Sequence, residues 1–204
     1  MTDVKICGIT RQEDALLAAE LGAWAIGFVF WPGSPRYIDP RAARAIVHAL
    51  PPAMRTVGVF VNQPAGHVRM VAEEAGITTV QLHGDETVAF AQRLGRPVFK
   101  AIPVRDGFTP STLDAIPDDI TVLLDAFDPA AHGGTGRTID WSLAADAAAR
   151  RPIVLAGGLN ARNIGEAIRQ VRPRAVDLSS GVEAVPGIKD HGKLRDLFAA
   201  LPHD

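Results

Sequence analysis

The chain reads as an α/β protein built on a closed parallel barrel of eight strands, (β/α)8, and three observations predict it. Eight short apolar runs alternate with Ala-rich helical stretches from end to end. Several runs are continuous in Val, Ile and Phe rather than alternating with polar residues, as strands covered on both faces require. Helix–glycine–strand junctions recur at about 25 residues, too long for common solenoids and right for βαβ crossovers.

The runs fall at 3–7, 24–30, 55–61, 78–82, 97–102, 120–124, 152–156 and 174–178. Between the first two, Thr10-Arg11-Gln12-Glu13 has the spacing of a capping box, with Thr10 as N-cap and Glu13 reaching back to its amide. The helix that follows should bury Ala15, Leu16, Leu17 and Ala19 and stop at Gly22. Gly76 and Gly95 hold the same place in later units, where a left-handed residue closes a helix just before a strand begins. Eight such units with no linker or composition shift predict one domain over residues 1–204, a TIM barrel near the lower size limit of about 200 residues. A doubly wound open sheet is the runner-up. It would normally hold fewer strands at this length, and Cys7-Gly8-Ile9-Thr10 is not a dinucleotide-binding turn.

Composition narrows the function classes. The 204 residues are 47% hydrophobic and 22% charged with a net charge of -2, so no basic excess points to nucleic acid. A single cysteine excludes an intramolecular disulfide framework and fits a reducing cytoplasm. No apolar run approaches the roughly 20 residues of a membrane span. Asp3 and Lys5 interrupt any signal-peptide pattern at the N-terminus. The expected partner is a small molecule, with neither nucleic acid nor membrane involved.

In a barrel, chemistry collects at the C-terminal strand ends and the loops beyond them. Those positions hold Cys7, the loop Trp31–Tyr37, Asn62-Gln63, Gln81–Asp85, Asp125, the Gly-rich stretch His132–Arg137, Gly157-Gly158, and Asp177–Gly181. Each has an unremarkable reading: a lone cysteine is usually a small buried hydrophobe, and an Asp after a strand is often a turn former. His83 alone is more often structural. The six histidines show no metal-ligand spacing and no carboxylate cluster. Gly157-Gly158 and Ser179-Ser180-Gly181 gain weight as a pair, because glycine turns let backbone N–H groups approach an anion and barrels bind phosphate after their last two strands. Gly133-Gly134-Thr135-Gly136 lacks the Gly-Lys-Ser/Thr of a P-loop and reads as a hinged loop that closes over the site. Arg36, framed by Pro32, Gly33 and Pro35, suits a carboxylate clamp because its planar fork binds carboxylate bidentately.

These residues together resemble the phosphoribosylanthranilate isomerase family of tryptophan biosynthesis. The likeness runs through Lys5–Thr10, Ser34-Pro35-Arg36, Val57–Asn62, Val80–Glu86, Leu124-Asp125, His132–Gly136, Asp140-Trp141, Leu155–Leu159, Asp177–Glu183 and Gly187–Asp190. The resemblance implies an Amadori rearrangement that needs no cofactor. By the family pattern Cys7 is the general base and Asp125 the general acid. Arg36 would hold the anthranilate carboxylate, with His83 contributing to the pocket. Gly157, Gly158, Ser179, Ser180 and Gly181 would bind the phosphate. Strand alternation puts Lys5 on the inward face one layer below Cys7, where with Asp177 it could balance charge beneath the site. A histidine-pathway isomerase, an indole-glycerol-phosphate synthase using Lys100, and a non-catalytic phosphate-binding barrel are the alternatives.

Overall fold

Successive side chains of a strand point to opposite faces, so each strand here feeds two cores. In the first strand Val4 and Ile6 join the large apolar layer beneath the helices, while Lys5 between them points into the barrel and is 0% exposed. The computed structural model describes residues 2–105, 107–126 and 140–202. Its strands are β1 (Asp3–Ile6), β2 (Ala25–Val29), β3 (Arg55–Phe60), β4 (Thr79–Leu82), β5 (Val98–Val104), β6 (Ile120–Ala126), β7 (Ile153–Leu155) and β8 (Ala175–Leu178). They close into a barrel in chain order. Every neighbouring pair is parallel, and β8 returns to β1 with Asp3 opposite Ala175 and Ile6 opposite Leu178.

Outside the strands run α1 (Gln12–Glu20), α2 (Pro40–Ala49), α3 (Ala65–Ala75), α4 (Val88–Gln92), α5 (Trp141–Arg150), α6 (Ile164–Val171) and α7 (His191–Ala199). Capping follows local chemistry: Asp39, Thr87, Asp140 and Asp190 each accept a backbone N–H in the first turn of the helix they precede. The fifth crossover departs from the expected grammar. It holds only a 3-10 helix, Pro110–Ala115, which Pro110 opens and which ends at Ile116, held in extended backbone just before Pro117.

Three local expectations need correction. The capping box does not form: Arg11 is the N-cap of α1 without a side-chain cap, and the Thr10 hydroxyl donates instead to the carbonyl of Gly187. A tertiary acceptor has outcompeted the local amide. The buried face of α1 is Asp14, Ala15, Leu17 and Ala18, with Leu16 39% exposed and Ala19 only partly covered, so its apolar stripe is turned by one position. After β8 the chain does not pass straight into a helix. A 3-10 turn, Ser180–Val182, leads into an antiparallel hairpin of β9 (Glu183–Val185) and β10 (Ile188–Lys189) before α7 begins.

The barrel interior is filled in small apolar sets. Ala25, Val57 and Phe99 pack low in the barrel, where Trp24 stacks on Phe99 at 6.0 Å and Arg55 lies 4.4 Å from the Trp24 ring. Cys7, Val29, Val59 and the partly covered Trp31 pack together near the mouth. The base of the barrel is thus closed by aromatic packing, and the mouth combines this apolar set with polar groups.

Candidate active site

One pocket opens at the C-terminal ends of the strands, and it is lined by all nine residues singled out from the sequence. Cys7, Arg36, His83, Asp125, Gly157, Gly158, Ser179, Ser180 and Gly181 meet there, with Gln81 and Asp177 among them. The Gly-rich stretch His132–Arg137 lies outside the described residues.

Cys7 follows β1 and is buried. A Cβ on Gly27 would come 2.9 Å from the Cys7 Sγ and 3.2 Å from the Lys5 Cε, so the two side chains share the space that this glycine leaves in β2. Beneath the thiol, Lys5 Nζ donates to both carboxylate oxygens of Asp177, at 2.9 Å and 2.8 Å. This confirms the charge pair that strand alternation suggested. Burial alone would lower the Lys5 pKa, but Asp177 and Cys7 outweigh it and hold the ammonium above its ordinary value. Burial pushes the Cys7 thiol up; Lys5 and Lys189 oppose that rise and Asp177 adds to it. The thiol is therefore poised between desolvation and two nearby cations.

Asp125 occupies the end of β6 and is nearly covered. His83 Nε2 lies 3.1 Å from its Oδ2, and the amide of Ala126 donates to its Oδ1 at 2.9 Å. On the other side of the imidazole, Gln81 Nε2 is 2.9 Å from His83 Nδ1. With the amide N–H facing Nδ1, that nitrogen accepts and Nε2 carries the ring proton toward Asp125; with the amide turned over, the two roles exchange. Gln81 is almost wholly buried, and its Oε1 has no hydrogen-bond partner among the described residues.

The two turns proposed for phosphate are in direct contact. Gly157 and Gly158 take φ of 91° and 62°, a left-handed pair that turns the chain sharply after β7. A Cβ on Gly181 would lie 1.9 Å from the Leu159 carbonyl oxygen, so only glycine lets the turn after β8 approach so closely. The short 3-10 helix that begins at Ser180 matches the extra helix with which such barrels bind phosphate. Ser179 Oγ is buried without a hydrogen-bond partner among the described residues, a group whose burial costs free energy unless a ligand or water completes it.

Arg36 reaches the pocket from the loop after β2, but its guanidinium is already engaged. Glu183 accepts from Nε at 2.9 Å and from Nη2 at 2.7 Å. Burial would raise the Glu183 pKa, yet Arg36 and Lys189 hold it below the ordinary carboxylate range. Lys189, buried, donates to Glu183 Oε1 at 2.9 Å and to the Ser179 carbonyl at 3.2 Å. The sequence reading assigned no role to Gln81, Glu183 or Lys189. Gln81 had a signal, since alternation in β4 puts it on the same face as His83. Glu183 had none, because its partner Arg36 is 147 residues away.

Lys100, the candidate acid of a synthase, is not at the pocket. Its neighbours Phe99 and Ala101 point into the barrel, so Lys100 faces outward, donating to the Gly84 carbonyl at 2.5 Å and to Glu86 at 3.3 Å. Among the described residues no group of three or more His, Cys, Asp or Glu side chains could hold a metal ion.

Known proteins resemble this chain along nearly its whole length. Residues 4–200 match the family model described as N-(5'phosphoribosyl)anthranilate (PRA) isomerase. An N-(5'-phosphoribosyl)anthranilate isomerase of Pelobacter propionicus is 52% identical over 97% of this chain and 94% of its own. The crystal structure of phosphoribosyl anthranilate isomerase from Thermus thermophilus superposes with a TM-score of 0.90 at 46% identity, covering 98% of both chains. A structure of such an isomerase in complex with reduced 1-(o-carboxyphenylamino)-1-deoxyribulose 5-phosphate superposes at 0.85 with 42% identity and 98% coverage of both. With a matching barrel and a family match from Val4 to Ala200, this chain belongs to the N-(5'-phosphoribosyl)anthranilate isomerases, enzymes of tryptophan biosynthesis.

Proposed function

We propose that the pocket rearranges N-(5-phosphoribosyl)anthranilate to 1-(2-carboxyphenylamino)-1-deoxyribulose 5-phosphate with Asp125 as general acid and Cys7 as general base. The observation that carries this reading is that a carboxyl group and a thiol line one pocket together with the paired glycine–serine turns. The phosphate anchors in the turns at Gly157-Gly158 and Ser179-Ser180-Gly181, where the Ser179 hydroxyl has a hydrogen bond to give. The carboxylate lies against Arg36.

Asp125 protonates the ribose ring oxygen, and the ring opens to a protonated Schiff base. Cys7 then takes the proton from C2 to give the enolamine, which tautomerises to the ketose. The iminium charge formed in the first step lies next to C2, where it favours the thiolate at the moment a base is needed. His83 serves the acid. With the Gln81 amide turned over, its orphaned Oε1 would accept from Nδ1–H, and Nε2 would accept the proton that Asp125 holds. One side chain thus supports Asp125 both before and after it gives up its proton. A lone thiol that must stay reduced to act suits the cytoplasm.

The test is loss of substrate fluorescence on mixing with purified protein. Wild type should consume the signal, and Cys7→Ala or Asp125→Asn should slow it by about 10²- to 10⁴-fold each. Asp125→Asn should keep product binding, because it removes a proton donor rather than a contact. Mass spectrometry under turnover should find no adduct on Cys7. Full activity in Cys7→Ala overturns the assignment.

A further inference from the structure

A guanidinium offers two bidentate edges to carboxylates, one that includes Nε and one made by the two terminal nitrogens. In Arg36 the first edge is taken by Glu183, through Nε and Nη2. The second edge, made by Nη1 and the other N–H of Nη2, is what remains for a ligand. Glu183 is itself fixed, since Lys189 Nζ and the Gly187 amide donate to its Oε1 at 2.9 Å and 3.2 Å. Lys189 also holds the Ser179 carbonyl, which ties the same buried ammonium to the phosphate turn. A Cβ on Gly8 would meet Arg36 Cδ at 2.7 Å and Ser179 Oγ at 2.9 Å, so the arginine stem and that turn pack against each other. Two cations and one carboxylate leave the triad with a net charge of +1, enough to pair with one carboxylate.

We infer that Glu183 is a positioning residue for the substrate's carboxylate. By holding the edge that includes Nε it fixes the direction of the free edge of Arg36 and, through Lys189, the distance between that free edge and the phosphate turn. The substrate carries an anion at each end, so this distance selects ligands in which carboxylate and phosphate are correctly separated. The inference rests on the reading of Arg36 as the carboxylate clamp. The opposite role is a latch, in which Glu183 stands in for the substrate's carboxylate and competes with it. The two roles differ in sign.

The experiment measures dissociation constants for two ligands, reduced 1-(o-carboxyphenylamino)-1-deoxyribulose 5-phosphate and its counterpart lacking the carboxyl group. Glu183→Gln should weaken the first by about tenfold or more, as loss of a buried charge partner does, and the second by less than about twofold. In steady state KM should rise while kcat changes less. Should Glu183→Gln fail to fold, Glu183→Asp decides, because it keeps the buried charge while withdrawing it by one methylene. Equal weakening of both ligands would reduce Glu183 to a structural role, and tighter binding of the carboxylate ligand would make it a latch; either overturns the inference. Arg36→Lys is measured in parallel. If it weakens the carboxylate ligand selectively and neither Glu183 variant does, only this inference falls. If it shows no selectivity, the clamp reading falls with it.

Discussion

Cys7 and Asp125 open into one pocket, yet their surroundings differ in kind. Around Cys7 the groups carry formal charge: the Lys5–Asp177 pair below, and Lys189 with Glu183 and Arg36 beyond. Around Asp125 the hydrogen-bonding contacts are N–H groups, from the imidazole of His83 and the amide of Ala126. The contrast fits the base and acid roles proposed for them. A buried thiol becomes a base only if cations offset the cost of a new anion in a poorly solvated site. An acid must give up a proton and take it back, which the His83 imidazole and the Gln81 side-chain amide beyond it can follow by exchanging donor for acceptor.

The contrast breaks most severely if Lys5 is removed. Lys5→Met leaves the Asp177 carboxylate buried and unpaired, which should cost about 3–5 kcal/mol in denaturant unfolding. It also removes the cation that opposes the rise of the Cys7 pKa, so the thiol moves further up and the pH at which kcat/KM climbs moves to more alkaline values. An unchanged pH–rate profile would separate Lys5 from the base altogether.

On the acid side the expected effect is smaller. Gln81→Met keeps the volume but removes the amide facing His83, worth about 1 kcal/mol of hydrogen bonding, or roughly fivefold in rate. The fold should be intact and the alkaline shift seen with Lys5→Met absent. If both substitutions move the same limb of the profile, the two environments are not separate.

Smallest is the effect at Asp14, a buried carboxylate outside the pocket. Burial would push it up, but hydrogen bonds from Arg11, the Lys189 amide and His191 hold it below its ordinary value. A depressed folded-state pKa contributes stability above the unfolded value of about 3.9 that is lost as pH falls through the folded one. Asp14→Asn should therefore flatten the acid limb of stability against pH. A thermal melt series from neutral pH to about pH 3 would read this, and an unchanged acid limb would remove Asp14 from the account.

Much of this was legible in the residues themselves. Apolar runs and glycine junctions specify eight βα units because each strand must be covered on both faces, and that alone puts Cys7, His83, Asp125 and both turns at one end of a barrel. Alternation within β1 even put Lys5 under Cys7. Three features were decided only by tertiary structure. Thr10 has a capping partner in sequence, but the Gly187 carbonyl comes within reach only when the hairpin folds back. Pro110 and Pro117 bracket the short 3-10 helix of the fifth crossover, though their consequence depends on how far that crossover must travel. Arg36 was legible as a carboxylate-binding fork, but not that Glu183 holds half of it. A local pattern fixes which residues can pair within a turn or along a strand. Which charges meet across the barrel mouth depends on where distant chain segments arrive, and that only closure of the barrel determines.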